Sequence, residues 1–192
     1  IITIFSFLAV INAFNFIDGI DGLSSLMFSS ILILCLFLEL KINFSIMILI
    51  ASIIIYLYFN FTKKSFLGDS GIYVLSSFLF FYLLQKYQLD HIKLTQIILM
   101  LSLPGIDLVT VTILRIYNKK KIYNGDRNHF HHFLYDSYGL INTLIIIMIF
   151  FWTPNLIFNY LNVSFEIVFI LFIFFYLLTF NILIKKRGLV FK

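Results

Sequence analysis

Charge is scarce in this sequence. Only 12% of its 192 residues are Asp, Glu, Lys or Arg, about half the usual share for a soluble domain. Apolar residues make up 61% and the mean hydropathy is +1.03. A soluble globule of this size would have too little polar surface to cover itself. A cytosolic enzyme and a disordered chain are therefore excluded. Cysteine is nearly absent as well. Cys35 stands alone in an apolar run, which excludes an internal disulfide and any disulfide scaffold. No internal repeat or linker is visible, and no basic stretch precedes the first apolar run as a signal peptide would require. What remains is the composition of a polytopic membrane protein.

A bilayer-crossing helix needs about 20 apolar residues, with a range of roughly 17–25. The apolar runs predict helices over 22–38, 42–62, 71–85, 94–114, 139–158 and 165–184. The first run loses its apolar character near Ile11, before Asn12, Asn15 and Asp18, and is too short to span. The chain opens on Ile rather than Met, so residue 1 is read as a cut inside a helix. The expected fold is all-α: one membrane domain over 1–192 with about six complete spans and a clipped first helix. Within the fourth span, Pro104-Gly105 predicts a kink. Asp107 beside it is a functional candidate by its expense in lipid, unless it pairs with a polar group on a neighbouring helix.

Orientation follows from the basic residues. One set of alternate connections (12–22, 60–70, 115–138 and the tail from 185) holds eleven of the fourteen Lys and Arg, and is predicted to be cytoplasmic. The other set holds Lys41, Lys86 and Lys93, with Glu39, Asp90, His91 and Glu166 in no clustered pattern. The net charge of +5 thus reflects topology, and no nucleic-acid partner is expected.

The same cytoplasmic connections carry five of the nine acidic residues and three of the four histidines. A transporter would instead place polar groups near the midplane. The first segment runs Asn12-Ala-Phe-Asn15-Phe-Ile-Asp18-Gly-Ile-Asp21-Gly22. If the following helix begins there, its two carboxylates at i, i+3 share one face of that helix's first turn. A polar N-cap is the structural alternative. The second segment, Asn60 to Gly71, contains FLGDSG and places Asp69 at a helix start. Free N–H groups there suit phosphate, and a carboxylate suits Mg²⁺; Lys63 and Lys64 could add charge for a diphosphate or simply be positive-inside residues. The third, Asp126-Arg127-Asn128-His129-Phe-His131-His132, fits no Cys/His zinc spacing. Histidine and arginine beside a phosphate would serve charge neutralisation or proton transfer.

In this order the three segments resemble the bacterial polyprenyl-phosphate N-acetylhexosamine-1-phosphate transferases of glycosyltransferase family 4. NAFNFIDGIDGL resembles the family's Asn-x-x-Asp-Gly-x-Asp-Gly signature, FLGDSG its Gly-Asp motif, and the stretch from Leu103 to Leu134 its histidine-rich motif. The resemblance implies transfer of a sugar 1-phosphate from a UDP-N-acetylhexosamine to polyprenyl (undecaprenyl) phosphate at the inner face of the plasma membrane, with UMP released. It implies Mg²⁺, or alternatively Mn²⁺, held by Asp69 with help from Asn15. Asp18, Asp69 and His131 would be catalytic. Asn15, Asp21, Asn60, Arg127, His129 and His132 would bind substrate, and a homodimer is allowed. All three segments would gather around one metal-bound diphosphate.

The His-x-His-His form is similar to the N-acetylhexosamine branch, which favours UDP-GlcNAc. The alternative is the phospho-MurNAc-pentapeptide branch. The family's adjacent Asp-Asp motif does not occur in these 192 residues. It is expected upstream of residue 1; an inactive remnant is the rival account. Ile72 also stands where the family often has Ser, and no proline lies between Asn60 and Phe66.

The charge asymmetry makes a direct prediction for the full-length protein. On a Cys35→Ser background, His91→Cys reacts with an impermeant maleimide in intact cells. Lys119→Cys reacts only after permeabilisation. The reverse pattern refutes the orientation.

Overall fold

The computed structural model describes residues 1–39, 43–119 and 127–187. Lys41, Lys120, Lys121, Asp126 and Lys192 lie outside them. Among the described residues there are helices and connections but no strand. The order is α1 (Ile2–Ile17), α2 (Leu23–Glu39), α3 (Phe44–Phe61), α4 (Gly68–Gln88), α5 (Leu94–Met100), α6 (Ser102–Tyr117), α7 (Phe130–Tyr160) and α8 (Phe165–Lys186). The chain forms two compact units, Ile1–Ile97 and Ile98–Lys192.

In the first unit, α1 packs along α4, and α2 along α3. α1 buries Val10, Ala13, Phe14 and Ile17, a helical stripe at three- and four-residue spacing. Phe14 stacks on Phe28 of α2 with ring centroids 4.3 Å apart. α2 is the most enclosed helix of the unit, with buried residues on every side from Leu23 to Leu32. α3 buries Ile46, Ile50, Ile53, Leu57 and Asn60 and leaves Ile48, Ile54, Ile55 and Tyr58 exposed. An outward face this apolar is what lipid, not water, solvates.

In the second unit, α7 lies against α8. Phe130, Phe150, Phe172, Tyr176 and Phe180 interlock there, Phe130 lying 4.9 Å from Tyr176 and 5.4 Å from Phe150 between centroids. The expected kink occurs three residues before Pro104: α5 and α6 are bent by 62° at Leu101. A proline ring crowds the carbonyl four residues earlier and supplies no N–H to it, so the break belongs upstream of the proline. A second discontinuity divides α7. Gly139 has φ 76° and ψ 176°, far from helical, so the histidine-bearing arm 130–138 is distinct from the long arm that follows.

Each expected span is found as helix, 94–114 as the bent pair α5–α6 rather than one helix, and the protein is an all-α membrane bundle. Among the described residues three helices, α3, α7 and α8, are by themselves long and apolar enough to cross a bilayer; the bent pair α5–α6 makes a fourth span if counted as one. α2, with 17 residues, is at the short end of the spanning range. α4 is long enough but carries Asp69, Gln85 and Lys86 near its ends.

α1 continues past the end of its apolar run, through Asn12 and Asn15 to Ile17. One expectation is corrected: acidic and basic residues of the other connections are clustered. Lys86 Nζ lies 2.7 Å from Glu39 Oε2, the Tyr82 hydroxyl donates to Glu39 Oε1 at 3.3 Å, and His91 Nδ1 is 3.9 Å from Glu39. Glu39 and Lys86 side chains are only 5% and 10% exposed. Removing one partner would strand the other charge.

Lys86→Met should therefore destabilise the folded protein by about 3–5 kcal/mol, the usual cost of an uncompensated buried charge. Adding Glu39→Gln should recover most of that loss. Thermal unfolding of both variants in detergent checks this.

Candidate functional site

The first unit brings the first two sequence segments together. Asn15 lies on the last turn of α1 and Asp18 caps its end. α2 begins only at Leu23, so Asp18 and Asp21 belong to the connection rather than to the helix's first turn. This corrects the expected shared helical face. Gly22 makes the connection possible. Its φ of +79° lies in the left-handed region, and a Cβ there would meet the Phe61 ring at 2.5 Å. Glycine alone combines that backbone with so close an approach to the end of α3. Ser24, 2% exposed, donates its hydroxyl hydrogen bond to Asp18 Oδ1.

Asp69 follows a second left-handed glycine, Gly68, with φ +64°, and lies in the first turn of α4, exposed. Its charge reaches Asp18. Burial pushes the Asp18 carboxyl above its ordinary value, and the negative charges of Asp69 and Asp21 push the same way against the opposing Ser24 hydrogen bond. Three carboxylates from two separate segments thus approach one another. Asn60, 7% exposed, lies next to Phe61, whose ring borders Gly22. Asn60 Nδ2 donates to the Ser65 carbonyl at 3.0 Å, but its Oδ1 is buried with no hydrogen-bond partner. Such an oxygen normally has a partner. Lys63 and Lys64 are exposed.

The donors here are hard oxygens, the type Mg²⁺ takes while keeping waters and substrate phosphates in its shell. Among the described residues no three His, Cys, Asp or Glu side chains converge to enclose an ion unaided. The residues fit a cation shared with a ligand rather than a closed cage.

The second unit organises the histidine segment. His129 is the N-cap residue of α7 but makes no side-chain cap. Its ring turns instead to Asp107 of α6, with Nδ1 2.9 Å from Oδ2. Asp107 Oδ1 accepts the Phe130 N–H at 2.9 Å and the Tyr176 hydroxyl at 2.9 Å. Asp107 therefore does pair with neighbouring helices, as its structural alternative required. His129 Nε2 lies 3.4 Å from Arg115 Nη2. The His129 ring lies near-parallel to His131 at 5.6 Å, and His131 is 4.2 Å from His132. His131 Nε2 and His132 Nδ1 are buried with no hydrogen-bond partner. Arg127, the expected companion of these histidines, is 62% exposed and lies 3.5 Å from Asp136; Arg187, the C-cap residue after α8, bridges Asp136 at 2.7 Å and donates to the Arg127 carbonyl at 3.1 Å.

Sequence reasoning missed Arg115, Tyr176, Asp136 and Arg187. Arg115 was counted only as a positive-inside charge, yet it is 3% exposed within α6. Tyr176, one ring among the many aromatics of the spans, is fully buried. The signal available was a single hydroxyl-bearing ring in the apolar centre of the last span.

Residues 1–87, which contain the whole acidic cluster, match the model of glycosyl transferase family 4. Over that stretch the chain is similar to that family. It is 32% identical over 187 residues to the undecaprenyl-phosphate alpha-N-acetylglucosaminyl 1-phosphate transferase of Thermotoga maritima, covering 95% of this chain and 58% of that protein. It is 31% identical over 157 residues to the probable undecaprenyl-phosphate N-acetylglucosaminyl 1-phosphate transferase of Bacillus subtilis (78% of this chain, 44% of that protein). The corresponding Escherichia coli K12 transferase is 29% identical over 145 residues (69% and 40%). The chain thus spans roughly half the length of these family members. No solved structure matches it.

The raised Asp18 carboxyl sets a pH dependence. Below the unfolded-state value Asp18 is protonated in both states and costs nothing. As pH rises through its higher folded-state value, the folded protein loses stability relative to the unfolded chain. Asp18→Asn should match wild type in thermal midpoint at acid pH and exceed it at neutral pH without divalent cations. Added Mg²⁺ should raise the wild-type midpoint more than the variant's.

Proposed function

We propose that the full-length protein transfers N-acetylhexosamine 1-phosphate from a UDP-sugar, UDP-GlcNAc in preference to UDP-MurNAc-pentapeptide, to undecaprenyl phosphate. The lipid phosphate oxygen attacks the β-phosphorus, the bond to the bridging oxygen breaks, and UMP leaves. The product is a lipid-diphosphate sugar, the starting point of a cell-envelope polysaccharide, made at the cytoplasmic face of the plasma membrane. The observation that carries this reading is the approach of Asp18, Asp21 and Asp69: burial raises the Asp18 carboxyl first, and the charges of Asp69 and Asp21 add to it. Like charges held together in this way call for a cation. The names of the relatives, at about 30% identity, support the substrate class.

Phosphoryl transfer asks the protein for positioning and neutralisation more than covalent help. Asp69 and Asn15 would hold Mg²⁺, with Asp18 and Asp21 around the nucleotide. When bound, the metal would neutralise charge on the diphosphate oxygens. Asn60 Oδ1, buried and unpartnered, is an acceptor for a donor on the substrate side. His131 and His132 offer ring nitrogens to phosphate or sugar oxygens, and Arg127 contributes positive charge beside them.

Membranes containing the full-length protein should release UMP from UDP-GlcNAc only with undecaprenyl phosphate and Mg²⁺ present. Asp69→Asn should lower that rate by roughly 100-fold or more, the scale of losing one transition-state charge stabiliser. An unchanged rate would remove the metal assignment; no UMP release by the wild-type protein would remove the reaction.

A further inference from the structure

The histidine cluster contains two different kinds of histidine. Three donors converge on Asp107: the His129 ring, the Phe130 N–H and the Tyr176 hydroxyl. A carboxylate only accepts, so all three are satisfied at once. On its other edge, His129 meets the Arg115 guanidinium at 3.4 Å. Guanidinium only donates, so Nε2 has to be the accepting nitrogen. One arrangement satisfies both edges: the ring proton is on Nδ1, directed at Asp107 Oδ2, and the Nε2 lone pair faces Arg115. His129 is 3% exposed, with Asp107 on one nitrogen and Arg115 on the other. His131 and His132 differ, since each keeps a buried ring nitrogen without a partner.

We propose that Asp107 is a positioning residue that locks His129 in the Nδ1-protonated tautomer. In that form His129 is itself a positioning residue, supporting the His131–His132 pair rather than touching substrate. This rests on the proposed reaction only for what the pair does, not for the tautomer.

Asparagine at position 107 exposes the logic. Its single oxygen must accept from the Phe130 backbone N–H, which cannot turn away. Its NH₂ then faces His129 Nδ1 and forces that nitrogen to accept. The ring proton moves to Nε2, where it opposes the Arg115 donor. The same substitution that keeps shape therefore reverses the tautomer, as happens when the orienting carboxylate of a serine-protease triad becomes an amide.

The test uses full-length protein with ¹⁵N-labelled histidine in detergent or lipid at pH about 8, where an ordinary imidazole is neutral. His129→Gln identifies the His129 ring signals by their loss. Wild-type His129 should carry its proton on Nδ1, and Asp107→Asn should move it to Nε2. A proton on Nε2 in wild type, or an unmoved proton in Asp107→Asn, overturns the proposal. The wild-type reading alone suffices if Asp107→Asn fails to fold. UMP release then separates the two kinds of histidine. Gln at 129 can still offer N–H to Asp107 and C=O to Arg115, so His129→Gln should stay within about tenfold of wild type, the range of a supporting group. His131→Gln should fall by roughly 100-fold or more. Equal losses at 129 and 131 would place His129 on the substrate and overturn the division. Absence of UMP release from wild type would sink the reaction while leaving the tautomer result to stand.

Discussion

A carboxylate enclosed by apolar helices must find donors or give up its charge, and Asp107 finds three. They come from the end of one connection, the start of α7 and the middle of α8. One short side chain thereby joins the three long elements of the second unit. It also supplies an acceptor to the first N–H of α7, which the His129 side chain leaves uncapped. The interlocked aromatic rings around Tyr176 keep water from competing for these bonds. In an apolar interior few such bonds are available, so each one has a large share in deciding which packing is reached.

The first unit solves the opposite problem. There the like charges of Asp18, Asp21 and Asp69 are brought together although they repel. The arrangement is maintained by features that cost little elsewhere: a left-handed Gly22 against Phe61, a serine hydroxyl on Asp18, and the α1–α4 packing that brings Asp18 near Asp69. Stability is lowered locally where these hard oxygens are held together. Such sites are where local rules of sequence and structure are expected to disagree.

Much of the fold was legible because a bilayer leaves so few options. The run from 42 to 62 and the run from 165 to 184 became α3 and α8 within two residues at each end. α1 was harder. Asn12 and Asn15 end its apolar run, but Asn12 returns its side-chain N–H to the Leu8 carbonyl and the helix continues. The acidic and histidine segments were visible as polar islands in apolar surroundings, and Asp107 was visible for the same reason. Their partners were not. Tyr176 and Arg115 are ordinary residues in sequence, and only three-dimensional packing places them beside Asp107 and His129. The Glu39–Lys86 pair was hidden in the same way, 47 residues apart in the chain.

The break at Gly139 has a mechanical meaning. A straight helix of 31 residues would act as a lever: any change of tilt imposed by bilayer thickness would swing its histidine end through several ångströms. With the backbone interrupted at Gly139, the long arm can lean with the lipid while the short arm stays moored to Asp107 on one side and, through Asp136, to Arg187 on the other. The direction of the long arm therefore does not by itself fix where the histidine arm points.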